Sequence, residues 1–599
     1  MTRTLHKTGL VVGYLGLLAA VVVSHRTPTT GYELSIYRAT PQLVWAGIGV
    51  ALLTAVPVLV AAPRATRTHD AAALLTASTA LAVITLPIVR GYYFYGGGDS
   101  LSHIGWAREI ASGSLSATNL LYPGIHTATV LLSRLADVSL TQANLYIVLL
   151  LFPLCFFLFV PLAVQLLADT PKSYAVGLLA ALLMTPVNNI AVHLIAHPAS
   201  QAILFSPVLF YLALAYAVRD TDSTGWLPRP SNTTGLGVLL AGFSVAFLLV
   251  HPQQELNLAL CLLAVVGLQT VARYRGNETV VDHRFLHVQA FVLVAAFLAW
   301  APRFDRVSGA VSSTITSIVT QGATAGNVVS QKSVSLTTLG GSIFLLFVKL
   351  FIGALVVSLL AAVVIVLALR GRFGDRDANT LVGYLTAALV PVTGVFLLVL
   401  ASSAGDMYFR YEGFIMVPVT VLGAVAVALA IDRARGRGRT VAKTAIVVLF
   451  LVLVPAGLAA THPAPYIYQP SRQVTESVAH GYGNSFETRV RGVEFAGVRG
   501  GPRRFVDFYY GTQQARTTLD FPGYEDPIPT AVFSRGNFTD YYEDPRYLGI
   551  TESDYAREVE LYEGFRYPAS GFQALDATVG VNRVRASEGY ALYYIAGEE

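Results

Sequence analysis

The sequence predicts a polytopic α-helical membrane protein of about thirteen transmembrane helices, with a small α+β domain at its C-terminal end. Three observations carry this. Of the 599 residues, 54% are hydrophobic and only 13% charged, whereas soluble domains carry about 25% charged residues. Apolar runs of about 20 residues recur along the chain, each long enough to cross a bilayer as a helix. From Thr461 onward the composition changes: 13 arginines, no lysine and 19 acidic residues give that tail a net charge of −6, against +11 for the rest.

The first run, Leu10–Ser24, follows Arg3 and Lys7. It lacks a small-residue cleavage site and another run follows soon, so it reads as a retained helix rather than a signal peptide. Further runs are Gln42–Ala62, Ala71–Val89, Tyr146–Ala168, Tyr174–Ile195, Gln201–Val218, Thr234–Val250, Leu256–Ala272 and Leu286–Ala301. The last four are Ile343–Leu369, Leu381–Ser402, Phe414–Ile431 and Thr444–Ala460. With the N-terminus in the cytoplasm, each inside loop is basic: Arg64 and Arg67; Lys172; Arg219 and Arg229; Arg273, Arg275 and Arg284; Arg370, Arg372 and Arg376; Arg433 to Lys443. An error of one helix would scramble that pattern, so the positive-inside rule supports this topology. It puts the long loop 90–145, the loop Arg303–Gly341 and the C-terminal domain outside.

In the tail, FVDFYY (Phe505–Tyr510) and YALYYIAG (Tyr590–Gly597) read as strands, and ITESDYAREVELYEGF (Ile550–Phe565) as a helix. Cys155 and Cys261 both fall inside apolar runs, which argues against a disulfide framework. An acidic, lysine-free tail suits salty water and suggests a haloarchaeal source. No nucleic-acid partner is expected.

The chemistry-bearing residues collect at one side. In loop 90–145, Gly96–Gly98 precede Asp99, and His103 follows one turn on, so the pair shares a helix face. The same outer side holds His126, His193, His197, His251, Arg303, Asp305, Arg306, Asp406, Arg410 and Glu412. Two outer turns carry a His-Pro pair, His197-Pro198 and His251-Pro252, the second continuing into Gln253. Proline opens a helix at little cost, leaving each histidine at a helix start. Singly, each residue has a plain reading: Asp99 as a helix N-cap, a histidine or arginine as an interfacial anchor. Together they suit transfer chemistry, in which a carboxylate takes an acceptor proton and cations stabilise a phosphate leaving group. Asp99 is the candidate base. His103, His197, His251, Gln253, Arg303 and Arg410 are candidates for holding donor or acceptor. The sequence identifies no cofactor. A divalent metal on His103, His197 and His251 is chemically open, yet no HExxH-type spacing accompanies them.

The stretch GGGDSLSHIGWAREIASGSL (Gly96–Leu115), followed by LLYPGIHTATVLLSRLA (Leu120–Ala136), resembles the C-type (GT-C fold) membrane glycosyltransferases that use polyprenyl- or dolichyl-phosphate sugars. The resemblance implies a catalytic acidic residue early in the first outer loop, matched by Asp99, and a second helix opened by an aromatic-Pro pair, matched by Tyr122-Pro123. It also implies a seven-helix core followed by a long outer loop. That divides the chain into two extra helices (1–70), a catalytic membrane domain (71–460) and an extracellular domain (461–599). The implied partners are a polyprenyl-phosphate sugar, a glycan or glycoprotein acceptor and membrane lipid, and the implied place is the cell membrane. Two departures stand out. Ser100 occupies the place where many members carry a second acidic residue, and the WWDYG signature of the oligosaccharyltransferase branch is absent. The alternatives are an oligosaccharyltransferase-like enzyme and a lipid-linked glycan flippase.

Overall fold

The computed structural model describes residues 2–218, 234–309, 312, 316, 337, 340–373, 376–401 and 407–597. Arg219, Arg229, Asp406 and most of the Arg303–Gly341 loop lie outside the described residues. Among the described residues, nine helices are long and apolar enough to cross a membrane: Arg3–Arg26, Gln42–Ala61, Leu140–Leu167, Pro198–Val218, Pro252–Tyr274, Ile343–Leu369, Arg376–Ala401, Tyr408–Arg433 and Arg437–Ala459. Two shorter apolar helices, Gly235–Val250 and His287–Arg303, occupy two further expected runs. Arg67–Ile84 occupies another; Thr66 caps it by accepting from the His69 N–H, and the chain bends at Thr85 before Pro87.

The helices pack through small residues where backbones approach. A side chain at Gly47 would meet the Gly16 carbonyl at 2.4 Å, so the first two long helices touch at a glycine pair.

The expected helix at Tyr174–Ile195 is realised only over Ser173–Ala181. Residues 182–197 run on as irregular, almost wholly buried backbone. Pro186 cannot continue a helix, and the Asn188 side chain accepts from the N–H groups of Ile190, Ala191 and Val192, each at 3.0 Å. Such backbone is tolerated at membrane depth only inside protein, which is where it lies.

The C-terminal region holds a four-stranded sheet, order β3 (Glu494–Gly497), β4 (Arg546–Thr551), β6 (Tyr590–Ile595), β5 (Val581–Ser587). β3 runs parallel to β4, and the other pairs are antiparallel. FVDFYY is not a strand but the helix Arg503–Tyr510, opened by Pro502 and closed by Gly511. The helix buries Val506, Asp507 and Phe508, and tertiary packing overrides the aromatic strand preference. The expected helix at Ile550–Phe565 begins two residues later, at Glu552, after strand β4.

This region is stitched to the first outer loop. β1 (Phe94–Tyr95) pairs antiparallel with β2 (Gln473–Val474), and the Arg472 carbonyl accepts from Gly96 and Gly97 at 2.7 and 3.0 Å. Helix Arg503–Tyr510 lies on the loop helix Asp99–Ser112. The contact is so close at Gly105 that a Cβ there would sit 2.2 Å from the Asp507 carbonyl oxygen.

Candidate active site

Asp99 is the first residue of the helix Asp99–Ser112. Gly98 caps it with φ +77°, a conformation open to glycine, and no side chain serves as the cap. The carboxylate is therefore not used as an N-cap. It is 65% exposed and ion-paired with Arg504 of the C-terminal region. Arg504 also donates to the Ser102 hydroxyl at 2.9 Å. Ser102 in turn donates to Asp507, which is fully buried and also accepts from Arg516 at 2.9 Å.

His103 lies one turn beyond Asp99 and is buried. Its Nδ1 is 2.9 Å from Nε2 of His126 on the helix Gly124–Ala136. Tyr122, just before Pro123, links this pair to the next element. Its ring stacks on His126 and on His251, with centroids 6.4 and 5.7 Å apart. Arg306 donates to the Tyr122 hydroxyl at 3.1 Å. The buried irregular segment supplies the opposite wall. Ser100 donates to the Ala196 carbonyl at 3.0 Å, and His193 and His197 meet edge to face at 5.8 Å. The His197 imidazole is fixed by Ser200 at 2.8 Å through Nδ1.

Burial holds His103 well below the usual histidine range, with the neighbouring His126 adding to the effect. His197 is lowered by burial and then by the charge of Arg410. His126 is pushed down to about 3 by burial, and His251 to about 3 by burial, then by Arg410 and Arg306. These rings are neutral at ordinary pH, since a desolvated histidine resists its charge. The positive charge of the site therefore comes from arginine. Among the described residues, no carboxylate pairs with Arg410 or Arg306.

The structure thus gathers Asp99, His103, His197, His251 and Arg410 around one region, together with His126, His193, Tyr122 and Arg306. Gln253 is half-buried in the first turn after His251. Arg303 stands apart: it stacks 4.9 Å over Trp300 and donates to the Thr118 carbonyl at 3.4 Å. Arg504 was invisible to sequence reasoning because 405 residues separate it from Asp99. Tyr122 carried a signal only as half of an aromatic-Pro pair.

A metal finds little here. Among the described residues, no group of three or more His, Cys, Asp or Glu side chains is arranged to hold an ion. His103 and His126 already spend their facing nitrogens on each other.

No protein-family model matches the chain, and no curated protein matches it. Among solved structures, it is similar to ArnT from Cupriavidus metallidurans in the apo state. That match has a TM-score of 0.44 and 14% identity, and it covers 88% of this chain and 99% of that one. It is also similar to the Archaeoglobus fulgidus oligosaccharyltransferase in complex with Zn and sulfate, with a TM-score of 0.45, 12% identity, and 86% and 73% of the two chains covered. A third similar structure is the archaeal oligosaccharyltransferase AglB from the same organism, in complex with an inhibitory peptide and a dolichol-phosphate; its TM-score is 0.45 at 12% identity, covering 86% of this chain and 74% of that one.

Proposed function

We propose that this multi-pass membrane protein is a glycosyltransferase that moves a sugar from a polyprenyl- or dolichyl-phosphate carrier to a glycan or glycoprotein outside the cell membrane. The observation that carries the reading is one accessible carboxylate, Asp99, whose charge acts on Arg410, an arginine that pairs with no carboxylate among the described residues. In the transfer, the acceptor hydroxyl oxygen bonds to the anomeric carbon as the bond from that carbon to the phosphate oxygen breaks. The hydroxyl proton passes to Asp99, a role for a positioned base. The departing lipid phosphate keeps the electron pair, and Arg410 and Arg306 stabilise its charge through charge-assisted hydrogen bonds. The neutral histidines orient donor hydroxyls, as either donors or acceptors.

The test is Asp99→Asn in the purified protein, assayed with polyprenyl-phosphate sugars. Size is conserved and the carboxylate is mostly exposed, so its ion pair adds little stability and the fold survives. Turnover should fall by about 10² or more, the lower end of a general base's contribution. Near-wild-type turnover would end the catalytic reading. A lipid-linked glycan flippase is the second reading, favoured by the broken helix at Ser173–Ala181, because discontinuous membrane helices mark transporter sites. Movement of carrier across vesicles without any sugar transfer would select it.

A further inference from the structure

We propose that the cleft between the Gly96–Gly98 turn and the C-terminal region is a subsite for an anionic sugar, held by Arg472 and Arg504. This rests on the glycosyltransferase reading only for its role as the acceptor's place; the binding itself stands on the cleft.

The cleft has a volume of about 380 Å³, within the range of small-ligand sites. Gly97, Gly98 and Leu101 form one wall, and Arg472, Gly500 and Arg504 belong to the other. Its lining carries four arginines and one aspartate, Asp554. Two of those cations are answered within the fold: Arg499 and Arg557 both pair with the buried Glu558, and Arg557 with Asp554 as well. Arg472 differs. Its carbonyl is fixed by Gly96 and Gly97, while its Nε is buried with no hydrogen-bond partner. No carboxylate among the described residues pairs with it. Arg472 as a whole is half-buried, and a partly desolvated cation without a counter-charge attracts an anion, so the cleft favours one that arrives with its ligand.

The rest of the cleft suits a sugar. Side chains added at Gly98 or Gly500 would meet nothing within 4 Å, so the walls are bare there and open to a ring. Phe505, stacked on Tyr482 at 4.2 Å, offers a partly exposed apolar face. The anionic group also competes with Asp99 for Arg504. Occupation of the cleft therefore opens the Asp99–Arg504 pair and frees the carboxylate to take the acceptor proton.

Calorimetric titration of the full chain in detergent tests this, with glucuronic acid and glucose 6-sulfate as the two anionic sugars. Glucose, inorganic sulfate and an acidic peptide serve as comparisons. Either anionic sugar should bind saturably and at least tenfold more tightly than glucose, sulfate or the peptide. Arg472→Gln should weaken that binding about tenfold or more, the loss of a charge-assisted hydrogen bond. Gly500→Phe should abolish it by filling the cleft; the backbone at Gly500 is not left-handed and a Cβ there would meet nothing within 4 Å, so the thermal midpoint should hold. Equal binding of glucose and the anionic sugars, or equal binding of sulfate or peptide, would overturn the subsite. So would unchanged affinity in both variants. Saturable, Arg472-dependent binding in a chain that transfers no sugar would retain the subsite and remove the transferase reading. Transfer to neutral acceptors without anionic-sugar binding would do the reverse.

Discussion

At the scale of single residues, the site separates charge from hydrogen bonding. Arg410 and Arg306 stay cationic while His103, His126, His197 and His251 are kept neutral by burial. A phosphate held by a planar guanidinium loses two-point contact when lysine replaces it. Arg410→Lys should therefore still lower turnover, and Arg410→Ala should weaken donor affinity about tenfold or more. Arg303→Ala should do less, because Arg303 leans on Trp300 and Thr118. Unchanged donor affinity in Arg410→Ala would remove that residue from the donor site. The neutral histidines also set a pH dependence. His126 and His251 titrate near 3 when folded, whereas an unfolded histidine titrates near 6.5. Between those values the unfolded chain binds more protons, so stability is full above pH 6.5 and falls as pH drops toward 3. At pH 5 the loss is about 2 kcal/mol per histidine. Thermal unfolding in detergent should show the midpoint falling from pH 7 to pH 5, with a shallower fall in His251→Gln. A midpoint that rises on acidification would contradict neutral burial.

At the scale of elements, the decisive contact is the helix Arg503–Tyr510 against Asp99–Ser112. It brings Arg504 to Asp99 and seats Asp507 beside Ser102, and it depends on Gly105. The glycine is there for close approach, not for an unusual φ, so any side chain pushes the two helices apart. Gly105→Ala should cost about 1–3 kcal/mol, the range for overpacking, and should loosen the C-terminal region from the loop. Limited proteolysis of the purified variant should release that region faster than from the parent chain, with turnover reduced as Asp99 loses its frame. Equal protease resistance would show that the backbone yields there without cost. This contact was hidden in the sequence because FVDFYY has strong strand preference, and only its burial partner turns it into a helix. The broken span at Ser173–Ala181 was hidden for a related reason. Apolar length predicts a helix, but Asn188 offers the backbone three alternative hydrogen bonds, a local competition that hydropathy does not register.

At the scale of the whole molecule, the membrane character was legible because it depends on composition. Runs of Leu, Val and Ala mark the long helices, whatever they pack against. The Asp99–His103 spacing was legible because an i,i+4 pair needs only one helix. What joins them was not: β1 with β2, Arg504 with Asp99, and the wall of residues 182–197 beside Ser100 are contacts between distant segments, set by packing rather than local pattern. The expected orientation in the membrane rests on charge. Lys172 lies between the helices Leu140–Leu167 and Ser173–Ala181, and Arg433, Arg435, Arg437 and Arg439 sit at the junction of Tyr408–Arg433 with Arg437–Ala459; alternation of the spans would set both on the side opposite Asp99. If basic loops stay in the cytoplasm, Asp99 and the C-terminal region face outward, where a lipid-carried sugar would meet its acceptor. Protease added to intact cells should then cleave the region after Thr461 and spare the turn between Arg433 and Arg437. Lysis should expose that turn to the enzyme. A C-terminal region protected in intact cells and cut only after lysis would reverse the orientation, and would place the proposed transfer on the cytoplasmic side.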